Sequence, residues 1–220
     1  RLSELRLRPD GTAVLLGDAL FSHALMLSTE FDDLTLSREI AKASRAVCQG
    51  EILQTQRRFD LTLTHAEYSR IIGMKTGALF AAATDLAGYI SGVDADLRTA
   101  LRDFGMQLGT AYQIYDDCID LVGDEKVIGK TLGTDLIKGK LTLPILNLIA
   151  RATEGQREKL NRLLIQQEPI DVSVLAGIAD YEGAIEDAIN NTIGKGCALA
   201  RRDQSPCLTA TYTHQPSSAT

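Results

Sequence analysis

Three aspartates crowd the centre of a stretch that otherwise reads as buried helix. In "YQIYDDCIDLV", Tyr112 to Val122, Asp116, Asp117 and Asp120 sit among apolar neighbours. On a helix, residues three and four apart share a face, so Gln113, Asp116 or Asp117, Asp120 and Asp124 form one polar stripe. Ile114, Cys118 and Leu121 flank it on one side, and Tyr115, Ile119 and Val122 on the other. A helix that is apolar most of the way round is mostly buried. Like charges at that spacing in a low dielectric repel one another and lose hydration, so the group persists when something positive is present. Basic side chains or a hard divalent cation meet that need. Mg2+ takes oxygen ligands, keeps several waters, and is usually held by one or two carboxylates plus substrate phosphates. Asp116, Asp117 and Asp120 are therefore candidate metal ligands.

The residues that follow supply positive charge. In "GKTLGTDLIKGK", Lys130 and Lys140 flank Asp135. A diphosphate would be held by Mg2+ on the aspartate side and by lysines on the other. The competing reading is a solvated acidic helix end followed by a basic loop. The added glutamine, lysines and glycines at fixed spacing favour the first. Gly123 to Thr131, "GDEKVIGKT", imitates a phosphate-binding P-loop. It carries five residues between glycine and GK[ST] where that motif has four, and it follows a helix where the motif follows a strand. It is rejected.

Long helices must position these groups. Between Pro9 and Pro144 the chain has no proline, and its glycines are scattered. No segment alternates apolar and polar residues between turn signals, so strands are not supported. A first helix is expected over about Thr12–Leu27, with Leu16, Leu20, His23 or Ala24 and Leu27 at helical spacing. A second spans about Ser37–Arg57. Thr64-His-Ala-Glu67 is a capping box that opens a third helix reaching about Ser91. A fourth, about Asp94–Val122, carries the aspartates. Leu141–Arg151 resumes as helix, Thr153-Glu-Gly-Gln156 resembles another capping box, and two further helices are expected up to about Arg201. Small residues in "GALFAAATDLAGYISG" permit close helix packing or leave room for a cavity, and close packing is the more frequent case. Residues 1–201 read as one all-α domain, and 202–220 as a polar, disordered tail.

Composition narrows the function class. The 220 residues are 45% hydrophobic and 24% charged, ordinary for a globular protein of one sizeable domain. The net charge of −6 and the absence of a basic stripe argue against a nucleic-acid binder. No apolar run is long enough to cross a membrane as a helix, and the first residues have no signal-peptide core. Cys48, Cys118, Cys197 and Cys207 lack metal-site or disulfide-scaffold spacing, which suits free thiols in a reducing cytoplasm.

These residues resemble the trans-isoprenyl diphosphate synthases (polyprenyl synthetases). That family's second aspartate-rich region reads Q-I-x-D-D-x-x-D, then G-K, G-x-D-L and G-K-x-T-L-P. This chain has Gln113-Ile-Tyr-Asp116-Asp117-Cys-Ile-Asp120, Gly129-Lys130, Gly133-Thr-Asp135-Leu136 and Gly139-Lys140-Leu-Thr142-Leu143-Pro144. Upstream, Gly17-Asp18-Ala-Leu-Phe21, Gly50-Glu51-Ile-Leu-Gln54 and Lys75-Thr76 are similar to its G-D-x-L-[FL], G-E-x-x-Q and K-T elements. The resemblance covers about Thr12 to Ala150, and more weakly reaches Arg201.

The resemblance implies a bundle of long helices around a deep central cavity, Mg2+ dependence, and a homodimer. It implies an allylic prenyl diphosphate and isopentenyl diphosphate as substrates. Asp116, Asp117 and Asp120 would belong to the second metal site, with Asp116 the first choice as direct ligand. Lys75, Lys130 and Lys140 would face the diphosphate, and Thr76 and Gln113 would line the pocket near the allylic carbons. The family's first aspartate-rich motif precedes G-D-x-L-F and has no counterpart in these residues; Asp32-Asp33 follows that helix and sits in a turn. The chain starts at Arg1, so truncation is the expected reason, and the chain alone is expected not to elongate a prenyl diphosphate. The alternatives are a non-catalytic subunit of a heteromeric synthase and a class I terpene cyclase.

Overall fold

A computed structural model of the chain describes residues 12–122, 133–166, 170 and 172–190. Among these residues all regular structure is helical. Residues 1–11, Asp124, Lys130, the end of the expected domain and the 202–220 tail lie outside the described residues.

The first helix, α1 (Thr12–Ser28), runs close to its expected bounds. The second, α2 (Leu34–Gln56), starts three residues before Ser37 because Asp33 caps it, accepting from the Thr35 amide at 2.8 Å. The expected third helix is one rod, His65 to Ile90, in three parts. Residues of α3 (His65–Ile72) begin at the Thr64–Glu67 capping box, a π-helical turn covers Gly73–Gly77, and α4 (Ala78–Ile90) completes the rod. Helix α5 (Ala95–Val122) returns beside it after a turn at Gly92. The short α6 (Thr134–Ile137), α7 (Leu143–Arg151), α8 (Glu154–Ile165), α9 (Val172–Ala176) and a last helix α10 over 181–190 follow. Pro144 sits in the first turn of α7, where its missing N–H costs nothing. The Thr153–Gln156 capping box is formed.

The α4–α5 contact explains the small residues. A Cβ on Gly77 would stand 3.2 Å from the Met106 carbonyl oxygen, and one on Gly88 would stand 2.8 Å from the Leu101 Cδ1. Close packing, not a cavity, is what they provide at these points. A buried carboxylate paired with two arginines fixes the same helices. Asp85, 1% exposed, accepts from Arg98 at 2.6 and 3.0 Å and from Arg102 at 2.8 Å. Arg98 lies over the Tyr89 ring, and the Tyr89 hydroxyl donates to Asp33 at the head of α2.

The core gathers Tyr68, Ile72, Ile114, Cys118, Leu121, Ile145, Leu148, Leu160 and Leu175. Two expectations about burial are corrected. The apolar stripe of α1 does not face a core among the described residues: Leu16, Leu20 and Leu27 are exposed, and the helix buries only Ser28. On α5 only one flank is covered. Ile114, Cys118 and Leu121 are buried, while Tyr115 and Val122 are exposed. Periodicity shows that an apolar stripe exists and says nothing of what covers it.

Candidate functional site

The site lies where α2, the π-helical turn, α5 and residues 133–142 meet. A π turn carries one more residue than an α turn and re-aims the side chains within it. Here it holds Lys75 and Thr76. Lys75 reaches α2: its Nζ donates to Gln54 Oε1 at 2.9 Å and stands 3.7 Å from Glu51. Thr76, its neighbour, reaches α5 and donates to Gln113 Oε1 at 2.7 Å. A Cβ on Gly50 would come within 2.7 Å of the Lys75 backbone nitrogen, so α2 passes the turn only because position 50 is glycine. The G-E-x-x-Q and K-T elements are therefore one contact.

The aspartates divide. Asp117 is 4% exposed and accepts from the Tyr68 hydroxyl at 2.6 Å and from Gln113 Nε2 at 2.9 Å. Burial pushes its pKa up to about 6, against the pull of those two hydrogen bonds; the Asp135 charge adds to the rise and the Lys75 charge opposes it. The Tyr68 hydroxyl is driven well above its ordinary range by burial first and by Asp117 second, so it stays protonated and donates. Asp120, 3% exposed, accepts from the Asp135 amide at 3.0 Å and from the Thr134 hydroxyl at 3.3 Å, and its carbonyl accepts from the Gly133 amide at 2.7 Å. It acts as the cap of α6. Asp116, which precedes both, is half-buried and so less deeply placed than either. Lys140 pairs with Asp135 at 2.8 Å, both groups largely buried.

Sequence reasoning offered cations, basic or metallic, as the counterweight to the aspartates. For Asp117 and Asp120 the partners in hydrogen-bond contact are neutral donors: a phenol, an amide side chain, a hydroxyl and a backbone N–H. Among the described residues no three His, Cys, Asp or Glu side chains are gathered so as to hold a metal ion together. The structure thus brings Lys75, Thr76, Gln113 and Asp117 into one chain of contacts, places Lys140 on Asp135, and does not assemble Asp116, Asp117 and Asp120 as a joint ligand set. Lys130 lies outside the described residues. Two residues were missed, Tyr68 and Thr134. Tyr68 reaches α5 while Lys75 reaches α2, and no spacing in the sequence marked Tyr68 for the site.

The fit to Mg2+ is partial and chemically sensible. Asp117 and Asp120 each accept hydrogen bonds from within the protein on both carboxylate oxygens. Mg2+ needs few protein ligands when phosphate oxygens and water complete its octahedron.

A family model described as polyprenyl synthetase matches residues 8–181. The chain is 34% identical over 158 residues to an octaprenyl diphosphate synthase of Escherichia coli (strain K12), covering 72% of this chain and 49% of that protein. It is 33% identical over 183 residues to a short chain isoprenyl diphosphate synthase of Methanothermobacter thermautotrophicus, covering 79% of this chain and 56% of that protein. Among solved structures it resembles a decaprenyl diphosphate synthase from Rhodobacter capsulatus, with TM-score 0.76 and 34% identity over 86% of this chain and 58% of that one. It also resembles a polyprenyl synthase from Caulobacter crescentus CB15 complexed with calcium and isoprenyl diphosphate, with TM-score 0.77 and 35% identity over 87% of this chain and 58% of that one. The chain spans about half the length of the curated relatives it matches.

Proposed function

The chain belongs to the polyprenyl synthetase family, and from that premise we propose that its protein is a Mg2+-dependent prenyltransferase that condenses isopentenyl diphosphate with an allylic prenyl diphosphate. The observation that carries the reading is the meeting of Lys75-Thr76 with Gln54 on one side and Gln113 on the other. Residues far apart in sequence, each in a family element, converge on one point beside a buried carboxylate.

Each side chain has a task in this reading. Lys75 and Lys140, with Lys130, hold the diphosphate. Asp116 supplies the direct carboxylate ligand of Mg2+, and Asp117 and Asp120 support its surroundings. Thr76 and Gln113 stand near the allylic carbons. The allylic C–O bond breaks and its electron pair leaves with the diphosphate. A C–C bond then forms to the terminal alkene carbon of isopentenyl diphosphate, and a proton is lost to restore the double bond. When bound, Mg2+ neutralises the charge that develops on the departing diphosphate. Lys75 adds a fixed positive charge on the same side, anchored to Gln54 so that it need not reorganise during the reaction.

The proposal extends to a homodimer in the cytoplasm. Val14, Leu16, Leu20, Phe21 and Leu27 leave an exposed apolar face on α1 that a second copy covers. In keeping with a protein that works outside the bilayer, no helix among the described residues is long and apolar enough to cross a membrane.

The test is an assay of the product of the complete reading frame with Mg2+, isopentenyl diphosphate and dimethylallyl or farnesyl diphosphate. Elongated prenyl diphosphate with stoichiometric diphosphate release is expected. A cyclic hydrocarbon formed without isopentenyl diphosphate would replace the proposal with a cyclase, and a folded protein that forms neither would replace it with a non-catalytic subunit.

A further inference from the structure

Tyr68 lies outside every element that carried the family resemblance, yet its hydroxyl is the deepest polar group of the site. The residue is 2% exposed and lies near the start of the rod. From it a line of hydrogen bonds runs outward, and each bond has only one possible direction.

The Tyr68 hydroxyl has one hydrogen, and it meets Asp117 Oδ2 at 2.6 Å. A carboxylate only accepts. Asp117 Oδ1, 2.9 Å from the Gln113 amide, therefore requires the NH2 end of that amide. This fixes which way the amide is turned. Its oxygen then faces Thr76 Oγ1 at 2.7 Å, and because an amide oxygen only accepts, Thr76 must donate. The single hydroxyl hydrogen of Thr76 is spent, and what remains for any other group is its lone pairs.

We propose that Tyr68 is a positioning residue for prenyl transfer, acting through Asp117 and Gln113 to hold the Thr76 hydroxyl as an acceptor. This rests on the functional reading above. An acceptor stabilises positive charge on the allylic carbons as the C–O bond breaks, and a donor at the same place opposes it. Asp117 alone does not fix the line. Without the phenol its second oxygen has no partner in buried surroundings, and the Gln113 amide is free to bond either oxygen and to shift with it. The chain runs antiparallel across two helices: 68 meets 117 and 76 meets 113, so rod and α5 must both be in place for it to form.

The experiment is a double-mutant cycle in the complete protein with Tyr68→Phe, Gln113→Ala and both. Tyr68→Phe is expected to lower kcat about tenfold while KM for the allylic diphosphate changes less than about twofold, because the lysines that hold the diphosphate are untouched. In the Gln113→Ala background the same change is expected to have no further effect on kcat, since the group it acts through is gone. Equal factors in both backgrounds would overturn the proposal. Should Tyr68→Phe fail to fold, Asp117→Asn reads the same line. An Asn amide donates toward Gln113, turns the Gln113 amide round and presents its NH2 to Thr76, so kcat falls. An unchanged kcat there also overturns the proposal. A second readout needs no activity. The Gln113 side-chain amide protons, bonded to a buried carboxylate, are expected to exchange slowly with solvent in the unsubstituted protein and about tenfold faster in Tyr68→Phe. If the protein elongates no prenyl diphosphate, the functional reading falls, and this exchange measurement still decides whether Tyr68 orders Gln113.

Discussion

Gly50 lies directly against Lys75: a Cβ at position 50 would stand 2.7 Å from the Lys75 nitrogen and 3.0 Å from its Cα. The obstacle is backbone, which cannot swing aside as a side-chain tip can. Gly50→Ala is expected to push α2 off the π-helical turn and cost about 1–3 kcal/mol, with Lys75 losing its bond to Gln54. Gly17, on the exposed α1, has nothing within 4 Å of a built Cβ. Gly17→Ala is expected to gain about 0.5–1 kcal/mol by restricting the unfolded chain. Urea unfolding of the pair checks both signs, and an equal response at the two positions would refute the steric account.

Asp116 and Asp120 are expected to separate chemistry from stability. In the proposed reaction Asp116→Asn removes a carboxylate that holds Mg2+ against the leaving group, and kcat is expected to fall about 10²–10³-fold. Asp120→Ala strips the Asp135 amide and the Thr134 hydroxyl of their acceptor and costs about 1–3 kcal/mol, with a smaller loss of rate than Asp116→Asn. Steady-state kinetics and unfolding midpoints measured on both variants decide. Comparable rate losses would count against the division of roles.

Asp117 makes stability depend on pH in an unusual sense. Its folded pKa is raised from 3.8 to about 6, chiefly by burial. Between those values the folded protein holds a proton that the unfolded chain has released, so stability falls as pH rises from about 4 to about 6 and is constant beyond. The two-unit shift corresponds to about 3 kcal/mol. Asp117→Asn does not ionise. Its stability relative to the unsubstituted protein is therefore expected to improve by about that amount across the same interval. A flat difference profile from pH 4 to 7 would show that Asp117 does not titrate there.

Gly139, with φ 71°, sits under the Phe59 ring, where a Cβ would meet ring carbons at 2.5 Å. The Gly139 carbonyl accepts from the Phe59 amide at 2.8 Å, and Phe59 itself has φ 58°. This contact sets the start of the segment that carries Lys140. Gly139→Ala is expected to cost about 1–3 kcal/mol and to raise KM for the diphosphate substrates by displacing Lys140 from Asp135. An unchanged KM in a destabilised variant would separate the Phe59 contact from the site.

The sequence by itself determined the helical class, because a chain without proline from Pro9 to Pro144 and with local caps at Thr64 and Thr153 specifies helices through short-range chemistry. It also determined which residues could do chemistry, because the spacing of Gln113, Asp116, Asp117 and Asp120 on one helix is fixed by 3.6 residues per turn. Only the tertiary structure decided what each carboxylate is for. Tyr68 is 49 residues from Asp117, and no periodicity announces that its hydroxyl will be the donor. The π turn at Gly73–Gly77 was equally invisible, because its residues are ordinary helix formers and glycines. The glycine at position 50, 25 residues earlier, is what lets α2 approach it. The apolar stripes of α1 and α5 were legible as stripes, but their burial depends on which surfaces meet them. Long-range pairing is set by how whole helices pack, and a sequence states its local rules far more openly than its distant contacts.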